Sequence, residues 1–393
     1  MESGLGQTAG AGPDQPLAVR IACVLTSELP RVAGLRQRAG AYEPLRANVP
    51  GMPTALLLMT ALAAAAPQPP ASLSDEVWKG GISGLESALA AGTLPQQQRE
   101  ELLGTAAFGL NVEAVKLLLG SELSAQAKGA ALHRAIAALR SHLPGAPAHE
   151  AWREERVRAI AGQLMASGAA LETTERYGAT VLSHAIYERA DWLALLLLEG
   201  GARPDASAVW WGTPLCRAAR NGAVEVVAAL LARGAAVEAA GRRDETALLA
   251  ALAPERSPPV PGDRTLAVVR LLLDAGARVG GERRDSGLAR AVRHETHAAQ
   301  LVALLAESRP EAVRAQAPVA LLVAAERGRT EAAKLLLPLV SDPDAEVDFE
   351  KRTALMIAAA NGHAELVKAL LARGADPGRK SRSGKSARQL ADD

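Results

Sequence analysis

Cysteine and aromatic side chains are scarce in this 393-residue chain, which has two Cys, two Phe, three Tyr and five Trp. Cys23 and Cys216 are too few and too far apart for a disulfide framework or a cysteine-rich zinc site, and they say nothing of redox compartment. The shortage of rings argues against a core of large aromatics, whereas the abundance of Ala and Leu suits close packing of small-residue helices. A formal net charge of +1 argues against a globally basic nucleic-acid surface and leaves electrostatic recognition to local clusters. There is no strand-linked Gly-x-Gly-x-x-Gly, Walker loop or Gly-x-Ser-x-Gly elbow. Gly384-Lys385-Ser386 echoes the end of a phosphate loop, but the preceding glycine and strand are missing. No cofactor or metal and no nucleic-acid partner is expected.

Residues 1–51 mix Gly, Pro, Ala and scattered charge without a sustained period and are expected to be disordered or upstream of the true start. Met52 to Ala66 is an uncharged run followed by Pro67-Gln-Pro-Pro70 and Ala-Ser-Leu-Ser74, the pattern of a signal-peptide apolar region and small-residue cleavage zone. At about fifteen residues it falls short of the roughly twenty that span a bilayer, so a permanent anchor is disfavoured. It lies far from Met1 and has no Lys or Arg between Met52 and the run. A start at Met52 removes the first difficulty; a start at Met1 makes Arg31, Arg36, Arg38 and Arg46 an unusual n-region. Export to a bacterial periplasm or out of the cell is the preferred expectation, with a buried helix capping the following array and a cytoplasmic location as the alternative. Residues 52–73 then form the apolar segment and linker, and 74–393 the folded domain.

What the chain has in abundance is repetition. Aligned on the Thr that opens each phrase, Thr180, Thr213 and Thr246 recur at intervals of 33, and Val319 leads to Thr353 after 34. In the phrase from Gly212 to Ala235, the Thr213 hydroxyl suits a helix cap and Pro214 its first position, while Leu215, Ala218 and Ala219 make an apolar stripe. Asn221-Gly222 stops that helix, Val226, Val227, Leu230 and Leu231 form a second apolar face, and Gly234 ends it. One such unit cannot bury both faces alone, so neighbours must stack. A kindred phrase runs from Thr353 to Ala375.

These phrases resemble the ankyrin repeat, with its Thr-Pro-Leu-His-x-Ala-Ala opening, central Gly, Val-Val-x-x-Leu-Leu stretch and closing Gly-Ala. The resemblance implies an all-α solenoid of about nine helix-turn-helix units joined by short outward hairpin loops. Weaker copies are expected around Glu101 to Leu119, from Ala130 to Ala169 and from Ser286 to Leu305, a clear one from Val319 to Leu337, with Trp78 to Gly92 a truncated first unit. Ser383 to Ala391 is read as a C-terminal helix. Two insertions, near 141–155 and 254–265, are expected to split helix pairs, and either a binding role or simple drift fits them.

Most predicted hairpin tips carry a distinctive pair: Arg176-Tyr177, Trp210-Trp211, Arg242-Arg243, Arg283-Arg284 and Lys351-Arg352, with Arg379, Lys380 and Arg382 beyond. Stacking aligns the tips in one row, where Arg and Trp suit contact with an acidic or aromatic-rich protein surface; solvated, soluble tips are the plainer reading. His133 falls on the phrase's His, which the resemblance assigns to a hydrogen bond between loops, and His363 follows the inter-helix Gly. His184 sits one place late and reads as a satisfied interior or loop histidine. His294 and His297 would share a helix face but lack a third ligand, and Cys216 occupies a packed His position.

The expected function is a non-enzymatic protein–protein interaction scaffold that uses its concave face and tips, acts as a monomer and engages a protein partner, for which an acidic surface is one expectation. The alternatives are an inhibitor or accessory partner of an exported enzyme and, less favoured, an enzyme with residues such as His142, His149 and Glu150 in the insertions.

Overall fold

A computed structural model describes residues 72–141, 150–175, 178–206, 212–241, 244–253, 260–281, 285–346 and 348–392. Among them the regular structure is helical apart from isolated bridge positions, such as the pairing of Thr174 with Thr180. The helices come as nine consecutive pairs and a terminal helix: α1 Leu73–Trp78 and α2 Ser83–Ala90, α3 Gln96–Phe108 and α4 Val112–Leu119, α5 Ala125–Ala138 and α6 Glu150–Ala166. There follow α7 Val181–Tyr187 and α8 Asp191–Glu199, α9 Pro214–Asn221 and α10 Val224–Ala232, α11 Ala247–Ala251 and α12 Gly262–Asp274. The last are α13 Gly287–Arg293 and α14 Ala298–Ser308, α15 Pro310–Arg327 and α16 Thr330–Leu336, α17 Ala354–Ala360 and α18 Ala364–Ala372, and α19 Ala387–Ala391.

First helices pack on first helices in an unbroken ladder from α1 to α19, and from α8 to α18 the second helices form a parallel ladder behind them. The core between the two layers is built of Ala, Leu and Val: Leu182, Ala185, Leu215, Ala218, Val227 and Leu248 are all at most 1% exposed. Small Ala lets neighbouring helices approach closely, and Leu fills the space between pairs. Each layer needs the next unit to complete its burial, which makes stability a sum of neighbour contacts.

The helix starts follow the expected chemistry. Thr180, Thr213, Thr246, Ser286 and Thr353 each accept a hydrogen bond from the backbone N–H three residues on, in the manner of an N-cap. Gly222 and Gly328 end α9 and α15 in left-handed conformation, with φ of 70° and 64°. Ser386 and Gln389 close a capping box on α19.

Two units depart from the expected outline. Ala130 and Val319 stand where other units have the capping Thr, yet both lie inside helices, because α5 begins at Ala125 behind a Ser124 cap and α15 at Pro310. Neither position offers a side-chain cap, and the Ala-rich preceding segments continue as helix. Pro318 sits within α15 without ending it. Unit three thus opens on an extended first helix, and α15 follows α14 across the single residue Arg309, with no hairpin between. Of the two expected insertions, residues 142–149 and 254–259 lie outside the described residues, while Glu150–Glu155 belong to α6 and 262–265 to α12. Residues 1–71, including the 52–66 run, are also outside them, and no described helix is long and apolar enough to cross a membrane.

Candidate binding surface

The hairpin tips anticipated as contact points are mostly outside the described residues: Arg176, Tyr177, Trp210, Trp211, Arg242, Arg243, Arg283 and Arg284. The two that are described, Lys351 and Arg352, are both tied to carboxylates of their own hairpin. Lys351 Nζ stands 3.6 Å from Glu346. Arg352 donates to Asp348 from Nε at 2.8 Å and again from its backbone N–H. The neighbouring tip stacks on this one: the Arg382 N–H donates to Glu350 O at 2.9 Å, and its guanidinium lies 4.2 Å over the ring of Phe349, which is 76% exposed. At this described pair the two tips stack, and the pair presents an aromatic ring under a cation.

A second basic feature runs along the first-helix layer. Counting the residue at the opening position of each phrase (Ala130, Thr213, Ser286) as zero, Arg134, Arg217 and Arg290 occupy position four, and Arg220 and Arg293 position seven. Arg217 lies 5.1 Å over the Tyr187 ring of the preceding unit. Glu245, at the turn before α11, joins Arg220 and Arg290, the latter at 2.8 Å, and Asp285 accepts two further bonds from Arg290. Arg290 is half-buried; burial opposes its charge, but the bonds to Asp285 and Glu245 outweigh that and raise its pKa. Burial lowers the pKa of Arg217 and Arg293, aided by the like charges of Arg220 and of Arg327 with Arg290 respectively. Four guanidinium groups on α9 and α13 thus gather around the carboxylates of Glu245 and Asp285, and the charges of Glu326 and Arg327 also act on Arg293.

His133 and His184, on α5 and α7, are buried as the sequence suggested, and they also meet each other, through Nδ1 at 3.3 Å. The other ring nitrogen of His133 is 2.8 Å from Thr173 O, so it is the donor there and its Nδ1 carries a lone pair. Glu175, in the hairpin before α7, places Oε1 3.7 Å from His133 Nδ1 and Oε2 3.9 Å from His184 Nδ1. Burial holds His184 down to about 4 and lowers His133 as well, so both rings are neutral near pH 7. The signal for this meeting was in the sequence: His133 is at position three of its phrase and His184 at position four of the next, and stacked units bring those registers together. His294 and His297 share no helix face, since His294 follows α13 and His297 precedes α14. His363 precedes α18 and covers Gly328, where an added Cβ would meet its ring. Cys216 donates to Glu245 O at 3.3 Å, and burial pushes its thiol pKa up, away from the reactive thiolate. His142 and His149 are outside the described residues. Between α12 and α14 an open groove of about 530 Å³ is lined by Leu266, Ala267, Ala303 and Leu304 with Arg270 and Glu307.

Comparison with known proteins agrees with the helix-pair geometry. Residues 212–242 match the model of the ankyrin repeat, and residues 288–381 match that of ankyrin repeats in three copies. Among solved structures, the human ASB11 ankyrin repeat domain is 24% identical with a TM-score of 0.45, covering 53% of this chain and 90% of that one. The ankyrin repeat domain of Bcl-3, described as a unique member of the IkappaB protein family, is 20% identical with a TM-score of 0.36, covering 66% and 96%. No curated protein matches the chain in sequence.

Proposed function

This chain is an ankyrin-repeat protein, and from that premise we propose that it is a non-enzymatic interaction scaffold that holds an acidic segment of a protein partner along its first helices and hairpin tips. The observation that supports this most is the arginine row of α9 and α13, where Arg217, Arg220, Arg290 and Arg293 stand around the carboxylates of Glu245 and Asp285. Rigid helices present these groups at fixed spacing, so several modest charge-assisted contacts add up without any reactive group. Trp210-Trp211, at the tip before α9, would add an apolar anchor to the same stretch. The partner acts on a monomeric scaffold in this reading. An inhibitory or accessory role toward an exported enzyme is a special case of it and rests on the 52–66 run as a signal peptide.

The test is affinity capture with the full chain followed by titration of the captured partner. Arg217→Glu with Arg293→Glu is expected to weaken binding at least tenfold and to flatten its dependence on salt. Trp210→Ala with Trp211→Ala should weaken it independently. A partner bound equally well by both double variants would sink the assignment of the surface. The mature N-terminus, read by mass spectrometry, decides export: a start near Ala65 to Ser72 supports it, and an intact Met1 in a cytosolic fraction opposes it.

A further inference from the structure

We propose that His133, His184 and Glu175 form a binding site for a zinc ion, with both imidazoles ligating through Nδ1, the Glu175 carboxylate as third ligand and water as the fourth. Ligands at Zn–N distances of about 2.0–2.1 Å stand roughly 3.3–3.4 Å apart at the corners of a tetrahedron. The two Nδ1 atoms are 3.3 Å apart already. The carboxylate oxygens, at 3.7 and 3.9 Å, are too far for hydrogen bonds to those nitrogens and a few tenths of an ångström beyond a tetrahedral edge. All three ligand atoms lie within 4.8 Å of one another. A small rotation of each ring turns the lone pairs toward a common point, and the Glu175 side chain, 39% exposed against 1% and 8% for the histidines, can close the remaining gap.

The surroundings match what a zinc-bound histidine needs. A ligating imidazole characteristically donates its other N–H to a backbone carbonyl or carboxylate, which fixes tautomer and ring direction, and His133 Nε2 donates to Thr173 O at 2.8 Å. In the metal-free pair His133 Nδ1 accepts, so His184 donates from Nδ1 and one proton lies between the rings. Zinc takes the place of that proton: His184 moves its own to Nε2 through solvent and both rings stay neutral. Imidazole nitrogens with one carboxylate favour zinc over calcium or magnesium, which take all-oxygen sets. Access runs past Glu175, the one exposed ligand. The ion would fasten the hairpin bearing Thr173 and Glu175, and α7 with His184, to His133 on α5, which 40 to 51 residues of sequence separate from Thr173 and His184.

The full chain, stripped with a chelator, is titrated with Zn²⁺ and its metal content measured. One ion per chain is expected, with a rise in melting temperature. Glu175→Gln and, separately, His184→Asn should each weaken uptake at least about tenfold, while His294→Asn with His297→Asn leaves it unchanged. Imidazole ¹⁵N resonances should show both Nδ1 atoms shifting on zinc addition, with His133 Nε2 still protonated. Glu175→Gln alters an exposed side chain, so it decides the matter even where His184→Asn fails to fold. Absence of saturable uptake, full affinity retained by Glu175→Gln, or loss of uptake in the His294 and His297 variant overturns the site.

Discussion

At Asp285 one exposed carboxylate holds a half-buried guanidinium, accepting from Arg290 Nε at 3.0 Å and from Nη2 at 2.7 Å. Those bonds, with the charges of Arg290 and Arg293, hold its pKa below the ordinary aspartate value. A carboxyl whose folded pKa is depressed contributes stability that is present above its unfolded pKa of about 4 and is lost as pH falls through the folded value. Asp285→Asn is therefore expected to flatten the acid side of the stability profile below about pH 4 while leaving the neutral side nearly level. Denaturant melts between neutral pH and pH 2 would check this, and an unchanged acid slope would count against the network. The position-four register of Arg217 and Arg290 was legible in the sequence, but Glu245 and Asp285 as their partners were not, because Glu245 and Arg290 are 45 residues apart.

The helices owe their ends to local chemistry, which is why they could be placed from the phrase alone. Gly222 tests this at the end of α9. Its φ of 70° is left-handed, and an added Cβ would also strike the Val260 side chain. Gly362 has a φ of 72° with nothing nearby. Gly362→Ala is expected to cost about 1 kcal/mol for the backbone conformation alone, and Gly222→Ala more than that. Equal losses in chemical denaturation would show that Val260 yields freely. The same local chemistry explains the departures: with Ala130 and Val319 in place of a capping Thr, nothing interrupts α5 or α15, and two places expected to resemble the other unit boundaries became helix.

Across the array each pair leans on its neighbours, so the ends are the least supported. Val77 and Leu85 are the only buried helix residues of α1 and α2, and Ala387 that of α19, whereas α7 buries six. Hydrogen exchange is expected to be fastest in α1, α2 and α19 and slowest from α7 to α11, in the order that nearest-neighbour coupling dictates. Uniform protection along the array would mean a single cooperative unit instead. The sequence by itself determined the period, the pairing of helices and the positions of most caps, because spacing, Thr hydroxyls and left-handed glycines act within a few residues. Only the tertiary structure decided what the stack brings together: His133 beside His184, Glu175 over both, and Glu245 between Arg220 and Arg290. Those contacts depend on the register of one unit against the next, which is set by packing across the interface and not by either phrase alone.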